Sequence, residues 1–315
     1  MIMEVGVPMA VVPHPDKSTP ARVAVLVACY NRCEITLVNL GCLIEALESS
    51  SIDAEIFLLD DGSPDRTGEK VAAAYPQIKI TTSEGNLFWN RGMHRIYSVA
   101  RQYGPFDGYL LFNDDVCVNP PTARQFLALW RSLNAESPTT LVGSTHATGG
   151  TKTTYSAFWR PNRFRPLTLA LIEPSESLQP ADTFNANFVL VPGATFDRLG
   201  GTDPTYWHAF GDIDLGYRIG EGRRDQVLLA PGWIGACDGR PAPPPSDEPL
   251  LRRVRNGFSG LNDVRQPARI IWRFSPNRFI AIGVIFAMIG KRLGLQILNR
   301  QDLWAPAAKA RIRGE

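Results

Sequence analysis

The feature that most constrains the fold is an alternation of short, continuous apolar runs with longer segments of helical periodicity. The first run, VAVLVA at 23–28, is β-branched and contains no polar position, which is typical of a strand buried on both faces of a parallel sheet. Apolar residues at helical spacing follow over 34–47, and a second apolar run occupies 54–59. This βαβ pattern predicts an α/β fold with a mostly parallel sheet flanked by helices.

The alternation continues to residue 220, with less regularity beyond Pro120. The remaining predicted strands lie at 78–82, 108–112, 140–144 and 184–192, and the remaining predicted helices at 67–75, 90–103, 122–133, 193–199 and 213–220.

Length and composition limit the classes of protein to consider. A chain of 315 residues exceeds the roughly 250–300 residues that one core supports, so a large domain with an appendage is expected. Apolar residues make up 44% and charged residues 20%, which is ordinary for a soluble protein. The net charge of +2 provides no general field for nucleic acid, and the Arg-rich C-terminal segment contains no recognisable reading module. We therefore expect no nucleic-acid partner.

The cysteines and the N-terminus both favour a cytoplasmic protein. The five cysteines include no C-x-x-C pair and are predicted to be reduced thiols; they are Cys29, Cys33, Cys42, Cys117 and Cys237. The first 22 residues lack a basic segment followed by an apolar stretch of signal-peptide length. Residues 1–20 are predicted to form a flexible tail.

Polar residues follow four of the predicted strands. They form the loops 28–32 (ACYNR), 60–63 (DDGS), 84–92 (EGNLFWNRG) and 113–116 (NDDV). In open α/β sheets ligands bind at the carboxyl ends of strands. Each loop alone has an ordinary explanation as a turn or a helix cap, but their conjunction predicts a binding site. No G-x-G-x-x-G follows the first strand, which argues against a Rossmann dehydrogenase.

Five motifs, in this order, resemble the family 2 glycosyltransferases, which have the Rossmann-like GT-A fold. They are VAVLVACYNR at 23–32, LLDDGSPDRT at 58–67, EGNLFWNRGMHRI at 84–96, LLFNDDV at 110–116, and FVLVPGATFDRLGGTDPTYWHAFGDIDLGYR at 188–218. Within the family, NLFWNRGM is most similar to bacterial enzymes of the rhamnosyltransferase type.

The resemblance implies an inverting transfer of a sugar from a nucleotide diphosphate donor, a UDP- or dTDP-sugar. The acceptor would be a hydroxyl group of a glycan or a lipid-linked glycan in cell-surface polysaccharide synthesis. An alternative is a catalytically silent subunit that binds a sugar nucleotide or serves as a scaffold.

The resemblance also assigns the donor site. Asp61, with Asp60, would accept the imide N–H of a uracil or thymine ring, and Arg91 would approach the diphosphate. The full set of expected donor-binding residues is Tyr30, Asn31, Arg32, Asp60, Asp61, Gly85, Asn86, Arg91, Asn113 and Asp114.

The segment 113–115 occupies the place of the family's metal-binding acidic motif. A hard divalent ion, Mg²⁺ or Mn²⁺, takes oxygen ligands, so Asp115 is the first candidate ligand and Asn113 a secondary one. Relatives carry a histidine after the catalytic helix, whereas no histidine follows His208 here. Three alternatives stay open: Asp238 substitutes for the histidine, Asp115 holds the ion with phosphates and water alone, or the dependence on metal is weak.

Asp212 and Asp214 are the candidate catalytic residues, at the start of a predicted helix. An inverting displacement needs a base on the face opposite the leaving group, and Asp212 matches the family's base. Asp214 stands four residues before Arg218, where an ion pair could fix it. For both carboxylates, N-capping of the helix is the ordinary structural alternative.

The C-terminal segment differs in character from the rest. Residues 21–240 are predicted to form the catalytic domain, followed by the linker PAPPP at 241–245 and a helical segment to 315. Several arginines precede the apolar run 279–290, which is short of the about 20 residues that a bilayer span needs. Two interpretations remain open: a basic amphipathic segment peripheral on the inner face of the cytoplasmic membrane, or a buried helix that closes the domain.

Overall fold

The computed structural model describes residues 20–221, 225–239 and 246–300. The predicted tail, apart from residue 20, and the predicted linker at 241–245 lie outside the described residues.

The described residues form one large mixed sheet and a small antiparallel one. The large sheet has the order β10-β13-β6-β12-β4-β1-β2-β3, with β5 paired to β13 and β7 paired to β6, and the small sheet has the order β11-β8-β9. The strands are β1 (Ala21–Cys29), β2 (Ile52–Asp60), β3 (Lys79–Thr82), β4 (Gly108–Asn113), β5 (Cys117–Val118), β6 (Thr139–His146), β7 (Thr153–Tyr155), β8 (Ala157–Trp159), β9 (Ala170–Leu171), β10 (Gln179–Pro180), β11 (Thr183–Phe184), β12 (Phe188–Pro192) and β13 (Gln226–Ala236).

Nine α-helices are formed by the described residues. They are α1 (Cys33–Glu48), α2 (Thr67–Ala74), α3 (Phe88–Ala100), α4 (Pro120–Asn134), α5 (Gly193–Leu199), α6 (Gly211–Gly220), α7 (Leu250–Gly257), α8 (Arg265–Phe274) and α9 (Arg278–Ile297). The predicted α/β fold with a mostly parallel central sheet and a C-terminal helical extension is confirmed.

Strand β1 lies at the centre of the parallel part of the sheet. It pairs in parallel with β2 and with β4, and β3 continues the parallel order beyond β2. Residues 23–27 are completely buried, because alternate side chains pack into cores on opposite faces of the sheet. The carboxyl ends of β1, β2 and β4 therefore lie at one edge of the sheet.

Two parts of the strand prediction differ from the structure. The predicted strand 184–192 is wrong as a single element: β11 belongs to the small sheet and β12 to the large one. A tight turn separates them, in which Asn187 N donates to the carbonyl of Asn185 at 3.1 Å. Strand β13, next to β6, has no counterpart among the predicted elements.

The C-terminal helices divide into a part that packs on the α/β core and a part that does not. Ile270 of α8 is fully buried in a cluster with Tyr217 and Phe158, and the backbone N–H of Trp207 donates to Gln266 Oε1 at 3.1 Å. Helix α9 has 20 residues, a mean hydropathy of 1.6 in its most apolar 18-residue window, and 22% of that window buried. By length and composition alone, α9 could cross a membrane.

Candidate functional site

A cleft of about 840 Å³ opens at the carboxyl ends of the parallel strands. It is lined by residues from the ends of β1, β2 and β4, from the loop before α3, and from the start of α6. Eight of the predicted site residues line it: Tyr30, Arg32, Asp61, Gly85, Asn86, Asn113, Asp115 and Asp212. The other predicted residues, Asn31, Asp60, Arg91, Asp114, Asp214 and Asp238, are not among its lining residues.

The Asp61 carboxylate organises one end of the cleft. It accepts hydrogen bonds from the backbone N–H of Phe88 at 2.9 Å, the backbone N–H of Leu87 at 3.0 Å and the Ser83 hydroxyl at 2.6 Å. Asp61 therefore holds the first turn of α3 while one side of its carboxylate borders the cleft.

Two glycines allow the loops at this end to approach each other. Gly62 and Gly85 have φ angles of 75° and 95°, which favour glycine. A Cβ atom on Gly62 would lie 3.0 Å from the backbone N of Gly85. A larger residue at position 62 would separate the two loops that form the wall of the cleft, whereas at position 85 the positive φ is the constraint.

The Asp60 side chain, unlike that of Asp61, is not among those that line the cleft. Its buried carboxylate accepts from the backbone N–H of Ser63 at 2.9 Å and from the backbone N–H of Gly68, in α2, at 2.9 Å. Both oxygens thus stabilise the turn after β2 and the first turn of α2. Asp60 does not face the cleft, although it was expected to bind the donor.

Two further expected donor residues also point elsewhere. The Arg91 guanidinium lies 4.3 Å from the ring centroid of Trp207, and its Nε donates to the carbonyl of Pro204 at 3.1 Å. Asn31 is exposed with a φ of 52°, and its backbone N–H donates to the Ser63 hydroxyl at 3.0 Å. In this conformation the structure does not bring either side chain to the cleft.

Arg32 connects the end of β1 with the acidic motif after β4. Its guanidinium forms ion pairs with both Asp114 and Asp115. Asp114 is fully buried and also accepts from the Thr36 hydroxyl at 2.9 Å. Burial raises the pKa of Asp114 to about 6, and the charge of Arg32 opposes this increase. The buried Asp114 carboxylate therefore fixes the position of the Arg32 guanidinium, while Asp115 borders the cleft.

The Asn113 side chain is held by two neighbours. Its Oδ1 accepts from the indole Nε1 of Trp89 at 2.6 Å, and its Nδ2 donates to Asn187 Oδ1 at 2.7 Å. The amide oxygen that would face a metal ion is therefore already engaged.

Asp115 is the carboxylate that fits a metal ion best. Within residues 20–221, 225–239 and 246–300, no three Asp, Glu, His or Cys side chains are grouped to hold a metal. A Mg²⁺ ion at a phosphate needs only one or two protein carboxylates, since phosphate oxygens and water complete its shell. Asp115 satisfies this smaller requirement.

The residues after β13 place a cysteine beside Asp115. Cys237 Sγ lies 3.7 Å from Asp115 Oδ1, and burial, with the nearby Asp115 charge, raises the pKa of this thiol to about 12. Asp238 is exposed, and its Oδ1 accepts from the backbone N–H of Thr148 at 2.8 Å. Cys237, rather than Asp238, is the neighbour of the acidic motif.

Asp212 reaches the cleft from the first turn of α6. Its Oδ1 accepts from the backbone N–H of Ile213 at 2.8 Å, and its Oδ2 accepts from Asn185 Nδ2 at 3.3 Å. Burial raises the pKa of Asp212 above its ordinary value, and these hydrogen bonds only partly oppose the increase. A carboxylate that is poorly solvated and borders a cleft is suited to accept a proton.

Asp214, two residues later, points into the protein. It is fully buried and forms the expected i,i+4 ion pair with Arg218, whose Nε donates to Asp214 Oδ2 at 2.6 Å. Arg273 of α8 lies 3.3 Å from Asp214 Oδ1. Asp214 thus connects α6 to α8.

Several residues that line the cleft were not predicted from the sequence. Asn185 and Asn187 hold Asp212 and Asn113 respectively. Both lie at the turn between β11 and β12. In the sequence they are two asparagines at alternating positions within an otherwise apolar run, a pattern from which they could have been predicted. Trp89 also borders the cleft.

The sequence matches the family model "Glycosyl transferase family 2" over residues 24–186, which is just over half of the chain. Among characterised proteins, the chain is similar to N-acetylglucosaminyl-diphospho-decaprenol L-rhamnosyltransferase of Mycobacterium tuberculosis, in strains CDC 1551 / Oshkosh and ATCC 25618 / H37Rv. Each is 28% identical over 193 residues, which cover 53% of this chain. The matched region spans 61% of the length of these relatives.

Two solved structures share the fold. The mannosyltransferase PcManGT from Pyrobaculum calidifontis, in complex with GDP-Man and Mn²⁺, has a TM-score of 0.50 and 16% identity, and the match covers 93% of this chain and 77% of that one. S. aureus TarS has a TM-score of 0.50 and 14% identity over 86% of this chain and 43% of its own. The motifs, the sheet and these similarities agree: the chain has a GT-A fold and belongs to glycosyl transferase family 2.

Proposed function

We propose that this enzyme transfers a sugar, with inversion, from a UDP- or dTDP-sugar to a hydroxyl group of a lipid-linked glycan. The observation that carries the proposal is the meeting of Asp61, Asp115 and Asp212 in one cleft. They come from the end of β2, the loop after β4 and the start of α6, and they offer a base-binding carboxylate, a metal-binding carboxylate and a general base.

Asp212 is the general base in this mechanism. The acceptor oxygen forms a bond to the anomeric carbon, the bond from that carbon to the diphosphate oxygen breaks, and the hydroxyl proton moves to the Asp212 carboxylate. A direct displacement of this kind inverts the anomeric configuration. Because burial raises the pKa of Asp212, its proton affinity is closer to that required near neutral pH.

Asp61 is positioned to recognise the nucleotide base. Its two oxygens already accept from three groups of the protein, which fixes their orientation. The backbone N–H of Leu87 is shared between the two oxygens, so three donors use the carboxylate's roughly four lone-pair sites, and the imide N–H of uracil or thymine would be a fourth donor.

A divalent ion, Mg²⁺ or Mn²⁺, would be held by Asp115 together with diphosphate oxygens and water. The structural relative from Pyrobaculum calidifontis contains Mn²⁺, and Asp115 borders the cleft here. When bound, the ion acts as a Lewis acid that stabilises the departing nucleoside diphosphate. Arg32, paired with Asp115, supplies a further positive charge at the same place.

The acceptor is proposed from the mycobacterial relatives and from the shape of the cleft. Their name describes transfer of L-rhamnose to N-acetylglucosaminyl-diphospho-decaprenol, and a lipid-linked glycan with a deoxyhexose donor is the corresponding proposal here. The cleft has an apolar wall that suits the nonpolar part of such an acceptor, formed by Phe158, Leu167, Leu169, Phe210 and Ile213. A lipid-linked acceptor would place the enzyme on the cytoplasmic face of the membrane.

The test measures release of UDP or dTDP by the purified chain with candidate donors, Mn²⁺ or Mg²⁺, and an acceptor lipid extract. Asp212→Asn should lower turnover by about 10²–10⁴-fold, the usual contribution of a general base, and leave donor binding intact. Glu221→Gln is the matched control, because Glu221 lies exposed at the far end of the same helix.

Two results would contradict the proposal. Full turnover by the Asp212→Asn enzyme would remove Asp212 from the mechanism, and a product that retains the donor's anomeric configuration would exclude direct displacement. Donor binding without turnover on any acceptor would favour the silent sugar-nucleotide-binding subunit instead.

A further inference from the structure

The first part of helix α9 is apolar on all sides and also exposed. Of residues 279–290, which contain no charged or polar side chain, only Ala281 is fully buried. Phe279 and Phe286 are 85% and 69% exposed. A helix that is apolar all round is normally found in a protein core or in a membrane, and a continuous apolar surface of this kind marks an interaction site.

The second part of α9 is fixed to the protein. Arg292, Leu295 and Gln296 are buried, and a Cβ atom on Gly257 of α7 would lie 2.4 Å from Gln296 Nε2. Exposed apolar side chains also occur in this second part, at Leu293 and Ile297, but the part of the helix that is apolar on all sides ends before Lys291. Its 12 residues span about 18 Å at 1.5 Å per residue, which is less than the roughly 30 Å of a hydrocarbon core.

The C-terminal part of the chain carries a large excess of positive over negative charge. Residues 250–300 contain ten Lys and Arg and one acidic residue, Asp263, for a net charge of +9. The whole chain has a net charge of +2, so the other residues together carry a net charge of −7. A basic segment beside an exposed apolar helix is complementary to an anionic lipid surface, which offers both negative headgroups and an apolar interior.

We propose that the exposed part of α9, residues 279–290, docks into one leaflet of an anionic bilayer, with the surrounding basic residues at the headgroups. The flanking residues suit this arrangement. Arg278 lies with its guanidinium 4.7 Å from the ring centroid of Trp272, a half-exposed indole of a type enriched at membrane interfaces. Lys291, exposed at the other end, is long enough to reach the headgroups.

Docking through α9 would hold the catalytic helix close to the membrane. Arg273, near the end of α8, contacts the Asp214 carboxylate of α6 at 3.3 Å, and α9 begins five residues later at Arg278. Asp214 is two residues from Asp212. Such a position would bring the proposed general base close to a lipid-linked acceptor, and this consequence rests on the proposed function. The docking of α9 does not depend on it.

Vesicle flotation of the purified full chain tests the docking without any donor or acceptor. The probes are phosphatidylcholine vesicles with and without phosphatidylglycerol. We expect the chain to float with the anionic vesicles and to bind neutral ones far less. Phe279→Glu with Phe286→Glu should lower the partition coefficient on anionic vesicles by at least tenfold, since each change removes an exposed aromatic side chain that docking would bury in the bilayer.

Matched variants separate the apolar contribution from the electrostatic one and from misfolding. Val38→Glu changes an exposed apolar residue of α1 and should float as the unmodified chain does. Arg278→Gln and Lys291→Gln should each weaken binding roughly fivefold on anionic vesicles, from the usual effect of one basic residue near a charged surface. Circular dichroism melting curves should coincide for all of these variants.

The inference is overturned if the Phe279→Glu, Phe286→Glu chain floats as well as the unmodified one, or if neutral and anionic vesicles bind equally. It is also overturned if the unmodified chain binds no vesicles but forms a concentration-dependent dimer that the two Glu substitutions abolish. In that case a second copy of the chain covers α9. Because flotation needs no sugar nucleotide, none of these results depends on whether the proposed transfer reaction is correct.

Discussion

Asp212, the proposed general base, is a carboxylate that loses solvation on folding. Burial raises its pKa, so the protonated form is favoured in the folded chain relative to the unfolded one. The contribution of this group to stability is therefore present at low pH and is lost as the pH rises through the folded pKa. At neutral pH the folded protein contains a poorly solvated charge.

Asp212→Asn should consequently make the protein more stable while it removes turnover. We expect the free energy of unfolding to increase by roughly 1 kcal/mol at pH 8, because the substitution removes a poorly solvated charge; this is within the usual range for a single stabilising substitution. This gain should shrink as the pH falls, because the unmodified carboxyl then becomes protonated. Thermal melts from pH 4 to pH 8 measure the difference. A loss of stability at pH 8 would show that the hydrogen bonds from Asn185 and Ile213 outweigh the burial of the charge.

Arg32 compensates the buried charge of Asp114, whose pKa is raised to about 6. Arg32→Gln should raise this pKa further and destabilise the chain by roughly 1–2 kcal/mol at pH 8, a value reduced from that of a fully buried pair because Arg32 is partly exposed. At pH 5 the loss should be smaller, since Asp114 is then mostly neutral in both proteins and the other ion pair that is removed, with Asp115, is partly exposed.

The measurement is the melting temperature in metal-free buffer across this pH range. Arg66→Gln is the control, because its ion pair with Glu69 is exposed and its removal should have no measurable effect. A pH-independent loss in Arg32→Gln would indicate packing rather than charge compensation.

The adjacent carboxylates Asp60 and Asp61 show why the location of the cleft could be predicted from the sequence and the side chains that border it could not. The strand-end motifs correctly indicated a cleft at the carboxyl ends of β1, β2 and β4. They did not distinguish Asp60 from Asp61, because adjacent residues at a strand end point to opposite sides. Asp60 holds α2, whereas Asp61 borders the cleft. The Arg91 side chain is positioned by Trp207 and Pro204, which are distant in sequence. The Asn31 side chain is positioned by a backbone φ of 52°. The motifs predict neither.

At the scale of elements, the start of α6 is fixed by close contact with α3. A Cβ atom on Gly211 would lie 1.8 Å from Asn90 Oδ1. Asn90 cannot easily move, since it is fully buried and its Nδ2 donates to the carbonyls of Asp203 and Tyr206 at 2.7 and 2.9 Å. This contact sets the position from which Asp212 enters the cleft.

Gly211→Ala should therefore destabilise the chain by about 2 kcal/mol through overpacking, and it should lower turnover more than donor binding. Gly220→Ala is the matched control at the other end of the same helix, where no described atom lies within 4 Å of the added carbon. That change should be neutral or stabilise by about 0.5 kcal/mol. Denaturant unfolding and turnover assays on both variants check this, and equal effects of the two substitutions would contradict it.

The elements that were predicted well are those with uninterrupted apolar runs. Strands β1, β2 and β4 have such runs because they are buried on both faces. Strand β13 was missed because Pro231 and Gly232 interrupt it; Gly232 has a φ of 64°, and the register with β6 shifts between Leu229 and Trp233. A strand with a bulge loses the local pattern although its pairing with neighbours survives.

At the scale of the whole molecule, binding to the folded state should appear as increased thermal stability. At a concentration 100 times Kd, a ligand stabilises by about 2.7 kcal/mol, which for a chain of this size raises Tm on the order of 5 °C. We expect this increase with a UDP- or dTDP-sugar and Mn²⁺ together. Mn²⁺ alone should have little effect, because Asp115 is the only carboxylate from the acidic motif that reaches the cleft among the described residues.

The same thermal-shift panel distinguishes the two carboxylates proposed for the metal. Asp115→Asn should remove the additional increase that Mn²⁺ gives in the presence of the donor, while the smaller increase from donor alone remains. Asp238→Asn should retain the full increase, because Asp238 Oδ1 is used by the backbone N–H of Thr148. If Asp238→Asn loses the Mn²⁺-dependent increase and Asp115→Asn keeps it, the ion is held by the segment after β13 and the assignment of Asp115 is wrong.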